Sequence, residues 1–278
     1  MSESLPNEMR LIAEREYEPD TGGAGAPAVA GLSHPMPCGQ GRWSTQLPSS
    51  AEQFVDLLVT ASQAVTRGPV DAVAAQMRAR GIQPEDIADI YIPAAARRMG
   101  DMWCDDHMGF AAVTVGCARL HALLRDLGPD WRADRVGAAN GPAVLLLVAS
   151  HISHTLGATV LTGQLRRLGL SVRLLVGARP QDVGAVMRRA RYDAVLISAS
   201  LGESLESLRK LVSAVKVATM TPPPVVLGGT FTLAAGHDPA RAKAITGADH
   251  VTNDMIDALD KCGLAHVDAA GPRQMRKG

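Results

Sequence analysis

The 278-residue chain predicts an α/β fold: a flavodoxin-like doubly wound parallel sheet preceded by a small four-helix bundle. Three features of the sequence predict it. The uncharged run Ala143-Val144-Leu145-Leu146-Leu147-Val148-Ala149 reads as a strand buried on both faces, the habit of parallel strands. After it, strand and helix patterns alternate to residue 263, and that alternation builds βαβ units with right-handed crossovers. Before it, residues 50–128 carry helical periodicity joined by short connections, which suits an antiparallel bundle.

Taken in order, residues 1–49 hold Gly/Pro-rich stretches such as Thr21-Gly22-Gly23-Ala24-Gly25-Ala26-Pro27. That composition buries too little apolar surface to offset its ordering entropy, so a disordered arm is expected. Ser50 with Gln53 resembles a capping box, and Phe54, Leu57, Leu58, Ala61 and Val65 form a stripe at helical period. Arg67-Gly68-Pro69 is expected to close that first helix, with a second over 70–80. Gln83-Pro84-Glu85-Asp86 opens a third, proline and acids suiting the free amides of a first turn, and it continues through Met99. A fourth runs from about Phe110 to Leu127. Residues 129–142 read as a linker by their Gly and Pro content, with Trp131 packing it onto a neighbouring element.

The sheet region then reads as strands at 143–149, 171–176, 194–198, 225–227 and, weakly, 250–251. Helices follow each of the first four, one of them opened by Pro180, and a last one covers 254–262. Residues 264–278 are polar and expected to be loose.

Composition excludes several functions. Lys plus Arg equal Asp plus Glu at 28 each, so no overall field draws the chain to nucleic acid or membrane, and direct DNA binding has no support from the totals. No apolar run approaches the ~20 residues of a membrane helix, and the charged N-terminus is no secretion signal. A soluble cytoplasmic protein is expected. Cys38, Cys104, Cys117 and Cys262 form no Cys-x-x-Cys pair, which argues for scattered reduced thiols over a zinc site or disulfide framework. No Walker or Gly-x-Gly-x-x-Gly pattern is present.

Chemistry concentrates at the loop after the first strand, where open α/β sheets place their ligands. There stand Ser150-His151-Ile152-Ser153-His154-Thr155-Leu156-Gly157: two histidines able to present ring nitrogens, and a glycine that leaves room for something bulky. Ser198-Ala199-Ser200-Leu201 ends the third strand and Gly228-Gly229 the fourth. By themselves the serines could cap the helix after Glu203, and the glycines could make a plain tight turn.

His154 and Gly157 resemble the histidine and glycine of the Asp-x-His-x-x-Gly signature of cobalamin (vitamin B12) binding domains. The serine and glycine segments fall where that family has its two later signatures. Residues 51–262 as a whole are similar to cobalamin-binding regulators, above all the AerR/PpaA-type photosynthesis antirepressors of purple bacteria. The resemblance implies that His154 displaces the cofactor's own base and becomes the metal ligand beneath cobalt, a role imidazole suits. It also implies that Ser198 and Ser200 line the pocket of the displaced base, and that Gly228 and Gly229 let backbone approach the nucleotide tail. The family's aspartate is Ile152 here, so the far nitrogen of His154 must find Ser150, Ser153, a carbonyl or water. His151 competes with His154 for the ligand role.

The segment Arg98 to Met108 resembles the part of the helical cap over the upper cobalamin face in light-sensing regulators, with Trp103 as lid. The family's Glu-His pair is replaced by Val113 and Thr114. His107, four residues past Trp103 and on its face if the helix continues, is the substitute upper-face ligand; the other reading is an exposed histidine beside Asp105 and Asp106. The implied cofactor is hydroxo- or adenosylcobalamin, and the implied partner a PpsR/CrtJ-type repressor of photosystem genes. The expectation is therefore a light-responsive antirepressor, a regulator and not an enzyme. Two other readings stay open: a corrinoid carrier for methyl transfer, and a haem sensor in which His107, His151 or His154 serves iron.

Overall fold

The computed structural model describes residues 49–128, 131, 141–149, 155–200, 203–233 and 238–264. The expected arm before 49, most of the 129–142 linker, the tail after 264 and the loop carrying His151, Ile152 and His154 lie outside the described residues.

The helical region comprises α1 (Ser49–Ser62), α2 (Gly68–Ala79), α3 (Pro84–Asp86), a π-turn (Ile87–Tyr91), α4 (Ile92–Cys104) and α5 (Phe110–Leu127). Phe54, Val55 and Leu58 of α1 join Met77, Ile87, Ile92, Met99, Leu120 and Leu124 in one core. The expected stripe stops short: Leu57 is 38% exposed and Val65 96%. Gly68 and Pro69 open α2 instead of closing α1, because a first-turn proline gives up only an N–H that has no helical partner. The third helix is interrupted where its periodicity predicts no break. Pro93 sits in the first turn of α4, lacking an N–H and crowding the carbonyl four residues back; the preceding π-turn, with the Ile92 N–H bonded to the Ile87 carbonyl, opens the helix at that point.

The sheet is parallel throughout, with β1 (Ala143–Val148), β2 (Ser171–Val176), β3 (Ala194–Ser198), β4 (Val225–Gly228) and β5 (His250–Val251) in the order β2-β1-β3-β4-β5. That is the expected flavodoxin-like order. Successive residues of β1 point to opposite faces. Leu145 and Leu147 pack with α7 (Pro180–Arg189), α8 (Leu205–Ala218) and α9 (Pro239–Thr246), whereas Val144, Leu146 and Val148 pack with α6 (Thr155–Arg167) and α10 (Met255–Lys261). The outer side of α6 meets the helical region: Val160 is part of that region's core and Leu156 packs against it. The helix fed by the histidine loop is thus held between sheet and bundle. Among the described residues, no helix is long and apolar enough to cross a membrane.

Candidate cofactor site at the carboxyl ends of the strands

Three strand ends come side by side. In the register of the sheet Val148 pairs with Ser198, and Ser198 with Gly228. The ladder continues past the strands, with the Ala149 N–H donating to the Ser198 carbonyl (3.2 Å) and the Ala199 N–H to that of Gly228 (2.9 Å). Ser198 and Ser200 are half-buried. The N-cap of the following helix is Ser204, its hydroxyl accepting from the Ser207 N–H at 3.1 Å.

The glycines differ from one another in what requires them. Gly229 has φ +98°, and a Cβ there would collide with the Ala199 carbonyl and lie 2.7 Å from the Ala199 nitrogen. Its own N–H donates to Asn253 Oδ1 at 3.2 Å, and its carbonyl accepts from the Thr232 hydroxyl at 2.8 Å. A Cβ on Gly228 would lie 2.6 Å from the Thr252 carbonyl. This pair is demanded by the chain's own packing. Gly157, in the first turn of α6, is exposed and would have nothing within 4 Å of an added Cβ among the described residues. A helical glycine costs about 1 kcal/mol relative to alanine, and no contact among the described residues requires one at Gly157.

On the helical side, α4 ends at Cys104 and the chain turns through Asp106 at φ +56°. The His107 and Met108 N–H groups both donate to the Met102 carbonyl, at 2.7 and 3.0 Å. His107 is exposed, but it is not one helical turn on from Trp103, because the helix stops before it; that expectation is corrected. Trp103 is half-buried, its ring 6.1 Å from that of Phe110, which is 67% exposed. Val113 is half-buried and Thr114 exposed, the Thr114 hydroxyl donating to the Phe110 carbonyl at 2.9 Å. The upper-face candidates are thus set close in the chain, Trp103 in the last turn of α4 and His107 on the α4–α5 connection, while His154 lies outside the described residues.

The junction between bundle and α6 carries polar groups that spacing and composition do not reveal. Trp131 is buried as expected for a packing residue, its ring seated on Gly163, where a Cβ would strike the indole. The Arg167 guanidinium lies 4.9 Å from the centre of that ring and pairs with Asp89 of the π-turn. His121 Nε2 meets the Thr159 hydroxyl at 3.0 Å; since that hydroxyl donates to the Thr155 carbonyl (2.9 Å), His121 is the donor. Burial, and then Arg125, hold the His121 pKa below its ordinary 6.5. The unfolded chain therefore binds the extra proton first, and stability falls as pH drops below about 6.5 toward the lower folded value. His121→Gln, which can still donate to Thr159, is expected to remove that acid-side loss while leaving stability at pH 8 within about 1 kcal/mol; thermal melts across pH 5–8 check it.

Thiols offer little chemistry here. Burial pushes the Cys117 thiol up, and burial with the nearby Asp249 charge raises that of Cys262 to about 11, so both stay protonated near neutrality. Cys104 is disulfide-bonded, which corrects the expectation of reduced thiols at that position. Among the described residues no three His, Cys, Asp or Glu side chains group to hold a metal ion.

An open parallel sheet with small residues across its central strand ends, and a helical region packed on α6, is the layout of an α/β module that binds its ligand at the carboxyl ends of the strands. Residues 142–259 match the family described as B12 binding domain, and the chain belongs to that family. It is 39% identical over 195 residues, 70% of this chain and 100% of the other, to a Rhodobacter capsulatus protein named "Uncharacterized 20.5 kDa protein in bchF-crtJ intergenic region". Its fold is similar to that of the Methanosarcina barkeri monomethylamine corrinoid protein, with a TM-score of 0.57 at 14% identity over 77% of this chain and 97% of that one.

Proposed function

We propose that the chain is a cobalamin-binding regulator, an antirepressor that binds a PpsR/CrtJ-type repressor of photosystem genes and responds to light through its cofactor. The observation that carries the partner is the name of the Rhodobacter relative, which sets that protein between bchF and crtJ. His154 is the ligand beneath cobalt, with Ser198 and Ser200 on the pocket of the displaced base, Gly157 giving the corrinoid room, and Gly228 and Gly229 letting backbone come close to the nucleotide tail. Bound cobalamin supplies a metal whose upper ligand can be exchanged. Trp103, in the last turn of α4, and His107, on the α4–α5 connection, would cover the cofactor from the helical side, and the end of α4 with that connection would be the part of the helical region that responds. Because Leu156 and Val160 of α6 share the core of the helical region, a change at either side of the cofactor is felt by the other.

His154→Ala is expected to weaken cobalamin binding about tenfold or more, by loss of the imidazole ligand, and to change the visible spectrum of what is retained. Equal binding with an unchanged spectrum gives the role to His151 or to another group. The regulatory reading is tested by gel filtration of the protein with the purified repressor, with and without hydroxocobalamin, in darkness and after illumination. Co-elution that depends on cofactor or light is expected; no complex in any condition contradicts it.

A further inference from the structure

We propose that the outer face of α7 and α8 docks an acidic amphipathic helix of the partner protein. This rests on the regulatory reading above and deepens it by naming the surface. The neutral total hides an uneven distribution. Helices α7, α8 and α9 cover one face of the sheet and carry seven basic residues against two acidic ones, Asp182 and Glu206. Residues 49–128 carry ten acidic residues against seven basic ones.

The two acids of the basic layer are already engaged, Asp182 with Arg179 and Glu206 with Arg209, while Lys216 pairs with Asp249. Arg188, Arg189 and Arg191 are exposed and have no acidic partner among the described residues, while Lys210, also exposed, shares the charge of Glu206 with Arg209. Between α7 and α8 runs a groove of about 510 Å³ lined by Pro180, Arg209, Lys210, Ser213, Ala214 and Val217. Its apolar members continue onto open surface, with Val217 82% and Met220 99% exposed. The helical region sits on α6, on the opposite side of the sheet, so the groove stays open with that region in place.

An apolar groove lined by Arg209 and Lys210, on a helical layer whose bases outnumber its acids seven to two, fits a helix that is apolar on one stripe and acidic beside it. Nucleic acid accounts for the bases alone: phosphate contacts need no exposed Val217 or Met220 on the same helical layer.

The test uses the full chain and a variant carrying Arg188→Glu, Arg189→Glu and Lys210→Glu, with Arg78→Glu on α2 as a control. Cobalamin retention and the melting profile report that the fold is intact. Two probes are measured by fluorescence anisotropy: the purified repressor, and a labelled amphipathic peptide of Leu, Ala and Glu beside its Lys-for-Glu counterpart. The acidic peptide is expected to bind, to weaken with added salt, and to lose about tenfold or more in affinity with the triple variant but not with the control. The repressor is expected to follow the same pattern, and Val217→Asp to weaken both. Equal binding of the two peptides, or a triple variant that binds the repressor as the parent does, overturns the surface while leaving the regulatory reading standing. If the parent binds no repressor, the regulatory reading fails and the peptides alone decide the surface. A DNA duplex bound by the parent and released by the triple variant also overturns it.

Discussion

Gly229→Val is expected to destabilise the protein by about 3 kcal/mol or more, enough to remove a large part of the stability of a domain this size. Two costs combine. The position has φ +98°, which a β-branched residue adopts only under strain, and a Cβ would collide with the Ala199 carbonyl and press on its nitrogen. Relief requires the ends of β3 and β4 to part, yet the Ala199 N–H to Gly228 carbonyl bond and the Phe231 N–H to Ala199 carbonyl bond hold them together. Phe231, buried beneath, would lose its seat. Chemical denaturation of the variant without cofactor gives the value; a loss under 1 kcal/mol would mean that the turn is far more pliant than its contacts imply.

The opposite outcome is expected at Gly157. Gly157→Leu replaces an exposed helical glycine by a good helix former whose Cβ meets nothing within 4 Å among the described residues, so stability without cofactor is expected to rise by about 0.5–1 kcal/mol. Cobalamin retention is expected to fall at least tenfold, because the side chain fills the space the corrinoid needs. Gly157→Ala separates the two effects, keeping the gain in helix stability and losing less binding. A leucine variant that is both more stable and fully competent for cobalamin removes Gly157 from the site.

These two glycines mark how far a sequence can be read. Spacing and position single out both, but only packing tells them apart, since Ala199 stands next to Gly229 from a different strand. Elements bounded by local chemistry are legible: Pro180 opens α7 because a first-turn proline costs no hydrogen bond, and the charge-free run of β1 marks its burial on both faces. Elements decided by contacts between segments are not. The π-turn at Ile87–Tyr91 follows from Pro93 but is seated by Asp89 on Arg167, 78 residues away. The end of α4 at Cys104, which separates His107 from the face of Trp103, has only Gly109 as a local signal. His121 looks like any surface histidine until α6 brings Thr159 to its ring. The basic layer of α7, α8 and α9 is hidden because a net charge of zero averages over faces that the fold keeps apart.

The measurement that tests the central claim most directly is an absorbance spectrum of the purified protein mixed with hydroxocobalamin and then desalted, taken in darkness and after illumination. A corrinoid spectrum that travels with the protein, is weakened by His154→Ala and differs between dark and light is the predicted result. Protein that emerges without corrinoid in both conditions would contradict it.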